Sequence, residues 1–470
     1  MNDKTWRCGS LTYTKPALLI LFFWLLWGDF CYTLMEAVVP SIMPLKFKEL
    51  GASDWEIGLI LGSAPSLVYS LLNPVISFKS DRFRSRWGRR IPFIVFSLPF
   101  IVLLLAVLGF GDKLGFWLHG HLGATIEHIS PSTFAIWFIG AMMIVFTVFN
   151  TFVTSTFWYL FNDVVPEHLL ARFMSWFRVI SQIAACLYNV LVFPYATSHY
   201  LWILLGAAAL YLFGFGLMCL FVREGNYPPP PAYVGGATGP VAAVKTYAEE
   251  CLGVKHYWWQ WLASFNGAIG GGMVTFAVFF NLSVGLTMQQ IGFINGTLSI
   301  MVAVFVLGTG WLADRYHPIR VVLGGSLLGI VTNLVSIYVW LVWRPAAAQS
   351  FPVLMAITFG LTAPCAALWA MGDPPLLMRM FPRTHYGQFC SFNGVCRAIG
   401  GILGGFVAGL FLDVLGKYLG DKQEAYRYIP VWSLCFAGPG LLFNLMLFRS
   451  WLKLGGDQNY QPPMLADRRR

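Results

Sequence analysis

Charge is what this chain has least of. Of its 470 residues, 11% are charged, against about 25% in an ordinary soluble domain. A soluble protein of this length would bury a large core and still need a solvated shell, and the charges for one are missing. Hydrophobic residues make up 57% and the mean hydropathy is +0.65, so the solvent is mostly lipid. Cysteine is sparse too. The nine cysteines form no CxxC pair, and Cys31, Cys186, Cys219, Cys365, Cys390, Cys396 and Cys435 fall in apolar runs. They read as small buried hydrophobes, neither a disulfide framework nor a metal site. The eight histidines show no ligand spacing; His119, His121 and His128 merely share a loop. No GxxxxGK[ST] loop, nucleophile triad or metal cluster is present, so nothing points to an enzyme or calls for a cofactor. A formal net charge of +10 raises nucleic acid as a partner. Placement argues against it: lysine and arginine sit in short segments between apolar runs, and no basic domain exists.

Long apolar runs are plentiful. A bilayer-spanning helix needs about 20 mostly apolar residues. Twelve stretches qualify: 17–40, 56–78, 91–111, 134–160, 173–195, 200–222, 257–282, 288–311, 319–342, 351–371, 386–412 and 430–450. The first is long, lacks a convincing cleavage site and is followed by many more, so a cleaved signal is not expected. The predicted fold class is an all-α membrane protein of twelve transmembrane helices. Membrane lipids are its expected surroundings.

Orientation follows from the lysine and arginine bias. With a cytoplasmic N-terminus, the outer segments hold only Lys46, Lys48, Lys113, Arg344, Lys417, Lys422 and Arg427, and Arg178 and Arg397 lie inside helices. The other basic residues are cytoplasmic. Among them is SDRFRSRWGRR at 80–90, facing the anionic inner surface. Both termini are therefore expected in the cytoplasm.

The longest inner connection, 223–256, contains PPPP and GGATGP. It reads as an extended linker with a short helix at 241–252. It divides the chain into a first six-helix bundle (1–222) and a second (257–454), followed by a tail (455–470). The halves repeat each other. FKSDRFRSRWGRR after the second span matches GWLADRYHPIR after the eighth, setting Asp81-Arg82 against Asp314-Arg315. WYLFNDVVPE with Asp163 matches ALWAMGDPP with Asp373, and RFMSWF matches QFCSFN. Three matches in the same order argue for an internal repeat. Two such halves describe a transporter that rocks about a central site.

These residues carry a family resemblance. Along nearly its whole length the chain resembles the major facilitator superfamily, with GWLADRYHPIR similar to a second copy of that superfamily's loop motif. Asn73-Pro74 followed by SDRFRSRWGRRIPF resembles the glycoside–pentoside–hexuronide cation symporters, nearest to their proton-coupled sucrose transporter branch. Pro166, Glu167 and Arg172 resemble the short loop after the fourth helix. The resemblance implies the major facilitator fold, a sugar substrate, a coupling cation, inward transport and a monomer. In the sodium-using, melibiose-type members, helix 2 carries two aspartates. Tyr69 and Asn73 stand there in this chain, which shifts the expectation from sodium to protons.

The loop motif also has a physical reading. Asp81 at the tip of helix 2 can accept from an arginine or from free helix N–H groups. Gly88 allows close backbone approach, and Arg86, Arg89 and Arg90 can pair with acids or lipid phosphates. Together with Arg82, Asp163, Asp314, Arg315 and Asp373 they form the expected gating set, a latch made in one state and broken in the other. The plain alternative is a topogenic charge cluster.

Ionisable groups at membrane depth are costly and face a cavity or a partner. Asp29 lies about 12 residues into helix 1, which at 1.5 Å per residue is near the midplane. Glu36, two turns on, shares its face. Both are candidates for proton coupling, Asp29 first, with a structural arginine partner as the alternative. Arg178 and Arg397 keep their protons, and their donors suit hydroxyls or a carboxylate. One of them, Arg397 by depth, is expected to exchange with Asp29 as sugar or proton binds. Asn150, Thr154, Gln182, Asn266 and Asn393 are candidate substrate groups; each is equally a helix–helix hydrogen bond. Trp24, Trp27 and Trp158 are candidate stacking surfaces for a pyranose ring.

The resulting expectation is a proton-coupled sugar symporter of a bacterial inner membrane. Its rivals are a facilitator or exporter of another small solute on the same scaffold, and a non-transporting membrane binding or scaffold protein.

Overall fold

The structure is a computed structural model and describes residues 6–122, 128–227, 249, 251–382 and 385–464. Among the described residues, twelve helices are long and apolar enough to cross a membrane. Those of the first half are α1 Lys15–Glu49, α2 Asp54–Arg82, α3 Ile91–Gly109, α4 Pro131–Phe161, α5 Trp176–Tyr195 and α6 Tyr200–Phe221. Those of the second are α7 Lys255–Ser283, α8 Met288–Val306, α9 Pro318–Trp343, α10 Ala347–Met380, α11 Tyr386–Leu419 and α12 Lys422–Lys453. The fold is all-α, two pseudo-symmetric six-helix bundles. Chain contacts give two compact units, Met1–Ala232 with Ile291–Ser299, and Tyr233–Gln290 with Ile300–Arg470. The short helix expected at 241–252 falls mostly outside the described residues.

The repeat is visible at the helix starts. Glu56 Oε2 accepts from the Ser53 backbone N–H at 2.9 Å at the start of α2. Gln290 Oε1 accepts from the Thr287 N–H at 2.9 Å at the start of α8. Both are capping boxes, which satisfy helix donors that would otherwise lack partners. Each follows a glycine turn of nearly equal φ, 87° at Gly51 and 88° at Gly285.

Helix 1 is longer than the apolar run suggests. It continues helically through Pro40 and Pro44 to Glu49, because its polar end is held by charge. Lys46 Nζ lies 2.9 Å from Asp112 and Lys48 Nζ 2.6 Å from Asp54. The loop after α3 contains a further helix, Gly111–Leu122, which supplies Asp112. The N-terminus forms an antiparallel hairpin, β1 Trp6–Cys8 with β2 Leu11–Tyr13. Tyr13 Oη donates to the Val164 carbonyl at 3.1 Å, and Ser10 Oγ accepts from the Asn226 N–H at 2.7 Å.

Candidate functional site

In the first bundle, polar groups from α1, α2, α4, α5 and α6 meet inside an apolar body. Asp29 is 1% exposed. It accepts from Ser181 Oγ at 2.8 Å and Thr33 Oγ1 at 3.5 Å. Arg178 lies one turn before Ser181 and is exposed; its charge reaches Asp29 without a hydrogen bond. Two turns on, Glu36 Oε1 accepts from Asn150 Nδ2 at 2.6 Å. Tyr211 Oη donates to Asn150 Oδ1 at 2.6 Å, and Tyr32 Oη to Thr154 Oγ1 at 3.3 Å. Asn73 Oδ1 accepts from Ser155 at 2.8 Å and Tyr159 at 3.2 Å. A buried carboxylate held by hydroxyls and amides has partners for both of its protonation states, since a hydroxyl can donate or accept.

The expected exchange partner is not the one seen. Arg397 donates to Asp373 Oδ2 at 2.6 Å, within the second bundle. Asp373 itself lies two turns inside α10, not at its end. Extra helical length beyond the hydropathy minimum carries it there, so it does not mirror Asp163. The remaining candidates scatter. Trp24 stacks on Phe221 with centroids 4.3 Å apart, and Trp158 packs against Phe177 at 5.1 Å. Trp27 Nε1 is buried without a partner. Gln182 is half-buried on α5. Asn266 donates to the Phe436 carbonyl at 2.7 Å. Asn393 is 3% exposed, with Oδ1 unpartnered.

At the expected cytoplasmic end, Arg89 grips Asp163 with two nitrogens, Nε at 2.9 Å. Arg90 reaches the same carboxylate at 3.1 Å and also bonds Asp81 and Ser80. The Asp163 hydrogen bonds hold Arg89 even more firmly protonated than usual. Arg82 instead covers the Phe78 ring at 3.7 Å, outside this cluster. Arg86 borders a nearby cavity with Trp87 and Arg223. Arg315 covers Trp311 and Tyr316, and the side chain of Asp314 lies outside the described residues.

Sequence reasoning missed Glu224. Its carboxylate accepts from the N–H groups of Arg89 (2.9 Å), Arg90 (2.8 Å) and Ile91 (2.7 Å), capping α3. Gly88, at φ +102°, makes room for it; a Cβ there would collide with the Glu224 side chain. The only signal was an acid placed directly after α6, among basic inner loops. Ser181, Tyr32 and Tyr211 were missed because serine and tyrosine are unremarked within apolar runs. Among the described residues no group of three or more metal-ligating side chains gathers.

Twelve spans among the described residues, repeated six-helix bundles and the Asp29 carboxylate buried within one of them define a membrane transporter scaffold. The sequence model of the Major Facilitator Superfamily matches residues 25–375 and 261–467, and the chain belongs to that superfamily. A curated relative, sucrose transport protein SUT5 of Oryza sativa subsp. indica, is 33% identical over 120 residues. That match covers 26% of this chain and 22% of the relative, so the chain spans about a fifth of the relative's length. Among solved structures, a bacterial homolog of the human lysosomal transporter Spinster, inward-facing and unoccupied, aligns at TM-score 0.65 and 14% identity. It covers 96% of this chain and 100% of that one. A bacterial homologue of the iron transporter ferroportin aligns at 0.63 and 14%, covering 92% and 98%. A D-xylose-proton symporter aligns at 0.57 and 14%, covering 92% and 97%. These likenesses concern the fold.

Proposed function

We propose that this transporter is a proton-coupled symporter importing a sugar, a disaccharide or another glycoside, by alternating access. It works as a monomer in the bacterial inner membrane with both termini in the cytoplasm, its bundles joined by the 223–256 linker. The observation that carries the reading is Asp29, deep in α1 and held by the Ser181 and Thr33 hydroxyls. With no salt bridge to it among the described residues, its charge is free to be cancelled by a proton. Glu36 is a second station, bonded by Asn150. The partial likeness to a sucrose transport protein supports the sugar, and Asn73 and Tyr69 in place of carboxylates support protons over sodium.

Proteoliposomes loaded with a pH dye test this. Sucrose, maltose, melibiose and common monosaccharides are added in turn to wild type and Asp29→Asn. One sugar is expected to acidify the lumen through wild type, and the variant to lose that acidification while keeping sugar counterflow. Uptake without proton movement would favour a facilitator. A well-folded preparation indifferent to every sugar rejects the reading.

A further inference from the structure

The first bundle carries a cavity that Asp29 and Glu36 do not line. It holds about 650 Å³ and runs between α3 and α6 from beside the start of α3. Its wall extends from Ile91 to Pro99 on α3 and from Leu212 to Leu220 on α6. At about 1.5 Å per residue each stretch covers about 12 Å. That approaches half of a hydrocarbon core about 30 Å thick, so the cavity is nearly one leaflet deep.

The two ends differ in chemistry. The deep part is hydrocarbon, with Val95, Leu98 and Pro99 facing Leu212, Gly216 and Leu220. Gly216 keeps it open, since a Cβ there would meet nothing within 4 Å. Leu212 and Leu220 are 45% and 75% exposed, apolar side chains that the protein leaves uncovered. The mouth is cationic. Arg86 and Arg223 border it; both are exposed, and neither is ion-paired among the described residues. Glu224 borders it too, but its carboxylate is already engaged by the Arg89, Arg90 and Ile91 N–H groups and by Tyr227 Oη at 3.0 Å. Trp87, 63% exposed, completes the rim. Indoles favour the headgroup level of a bilayer.

A ligand that suits both ends has an anionic head and an apolar tail. Guanidinium forks match phosphate oxygens, and basic pockets between transmembrane helices bind phospholipid headgroups. A soluble phosphate would leave the groove empty. A neutral apolar solute would leave both cations unpaired. A zwitterionic lipid would set its own ammonium beside them. We propose that this cavity holds one anionic phospholipid, its phosphate between Arg86 and Arg223 and one acyl chain in the groove between α3 and α6. The site is independent of the solute carried and of the Asp29 pathway.

The test titrates delipidated full-length protein in detergent with dioleoyl phosphatidylglycerol or dioleoyl phosphatidylcholine. Bound lipids are counted by native mass spectrometry. Wild type is expected to hold one phosphatidylglycerol with a Kd about tenfold below that for phosphatidylcholine, because each arginine adds to the attraction. The double variant Arg86→Gln/Arg223→Gln should level the two lipids. Gly216→Leu keeps both charges but fills the groove, and should weaken phosphatidylglycerol about tenfold through lost acyl burial. Phosphatidylglycerol should also raise the melting temperature of wild type more than that of either variant, since a ligand stabilises the state that binds it. Glycerophosphoglycerol, the headgroup without chains, should not displace the lipid at equal concentration; if it does, the mouth takes a soluble phosphate and the proposal fails. Equal affinity of wild type for the two lipids, or unchanged phosphatidylglycerol affinity in either folded variant, also overturns it. If the double variant does not fold, Gly216→Leu alone decides.

Discussion

Single side chains set several measurable properties. His317 precedes α9, where its ring accepts from the Ile319 N–H at 3.3 Å and packs on Trp451 at 4.4 Å. Burial, helped by the Arg379 and Arg320 guanidinium groups, lowers its pKa to about 4, against about 6.5 in an unfolded chain. The unfolded state therefore binds more protons between those values. The stabilisation is complete above about pH 6.5 and is lost as pH falls towards 4. Thermal unfolding in detergent should fall more steeply across this window for wild type than for His317→Asn, which keeps a capping side chain. Asn150 offers a second case. Replacing it with leucine removes the amide donor of Glu36 and the acceptor of Tyr211, leaving the two only their long 3.5 Å contact with each other, and an unsatisfied buried polar group costs about 1–3 kcal/mol. A lower melting temperature for Asn150→Leu than for Thr147→Val is the expected reading, since Thr147 bonds only its own helix, at the Met143 carbonyl. Asp29, Glu36 and Asn150 were legible in the sequence because charge and amide stand out in hydrocarbon. Tyr211 was not, since its role depends on which helix faces it.

At the scale of elements, the start of α3 is the joint that local sequence could not reveal. Its acid comes from 134 positions along the chain, between Arg90 and Glu224. Carboxylates favour helix N-termini through both hydrogen bonds and the helix dipole. Glu224→Ala frees three N–H groups, and loss of a cap costs about 0.5–2 kcal/mol. The variant should melt earlier, and Glu224→Gln should lie between it and wild type. Hydrogen exchange at Arg89–Ile91 should quicken in the same order. Hydropathy located all twelve spans because their energetics are dominated by lipid. The N-terminal hairpin escaped notice because two three-residue strands carry too little periodicity to read, and their contacts to Val164 and Asn226 are long-range.

For the molecule as a whole, charge sorts the two ends. The cations that the sequence assigns to the outer segments are largely ion-paired: Lys46 with Asp112, Lys48 with Asp54, Arg344 and Arg427 with Glu424, and Lys422 with Asp413. The proposed orientation, with both termini in the cytoplasm, leaves the basic surplus at that end. Reporters fused at residue 470 and in the 111–130 loop should give opposite results, fluorescent protein bright at the former and alkaline phosphatase active at the latter. Reversed signals would invert the assignment. The repeat was legible in Asp81 and Asp314, and plainer still in the paired capping boxes. Divergence of the halves was not: Asp163 joins an ionic cluster with Arg89 and Arg90, while Asp373 faces a cavity with Arg397. The sequence-matched aspartates acquire different neighbours because Asp373 lies two turns inside its helix while Asp163 lies at the end of its own.

Gly88 lies at the crowded contact between Glu224 and the start of α3, and any side chain there would push the two apart. Every missense change of its codon adds a side chain. Clones surviving a toxic analogue of the transported solute should therefore accumulate replacements at this codon, although the residue stands in the loop between α2 and α3. Such a harvest of survivors would map this contact genetically.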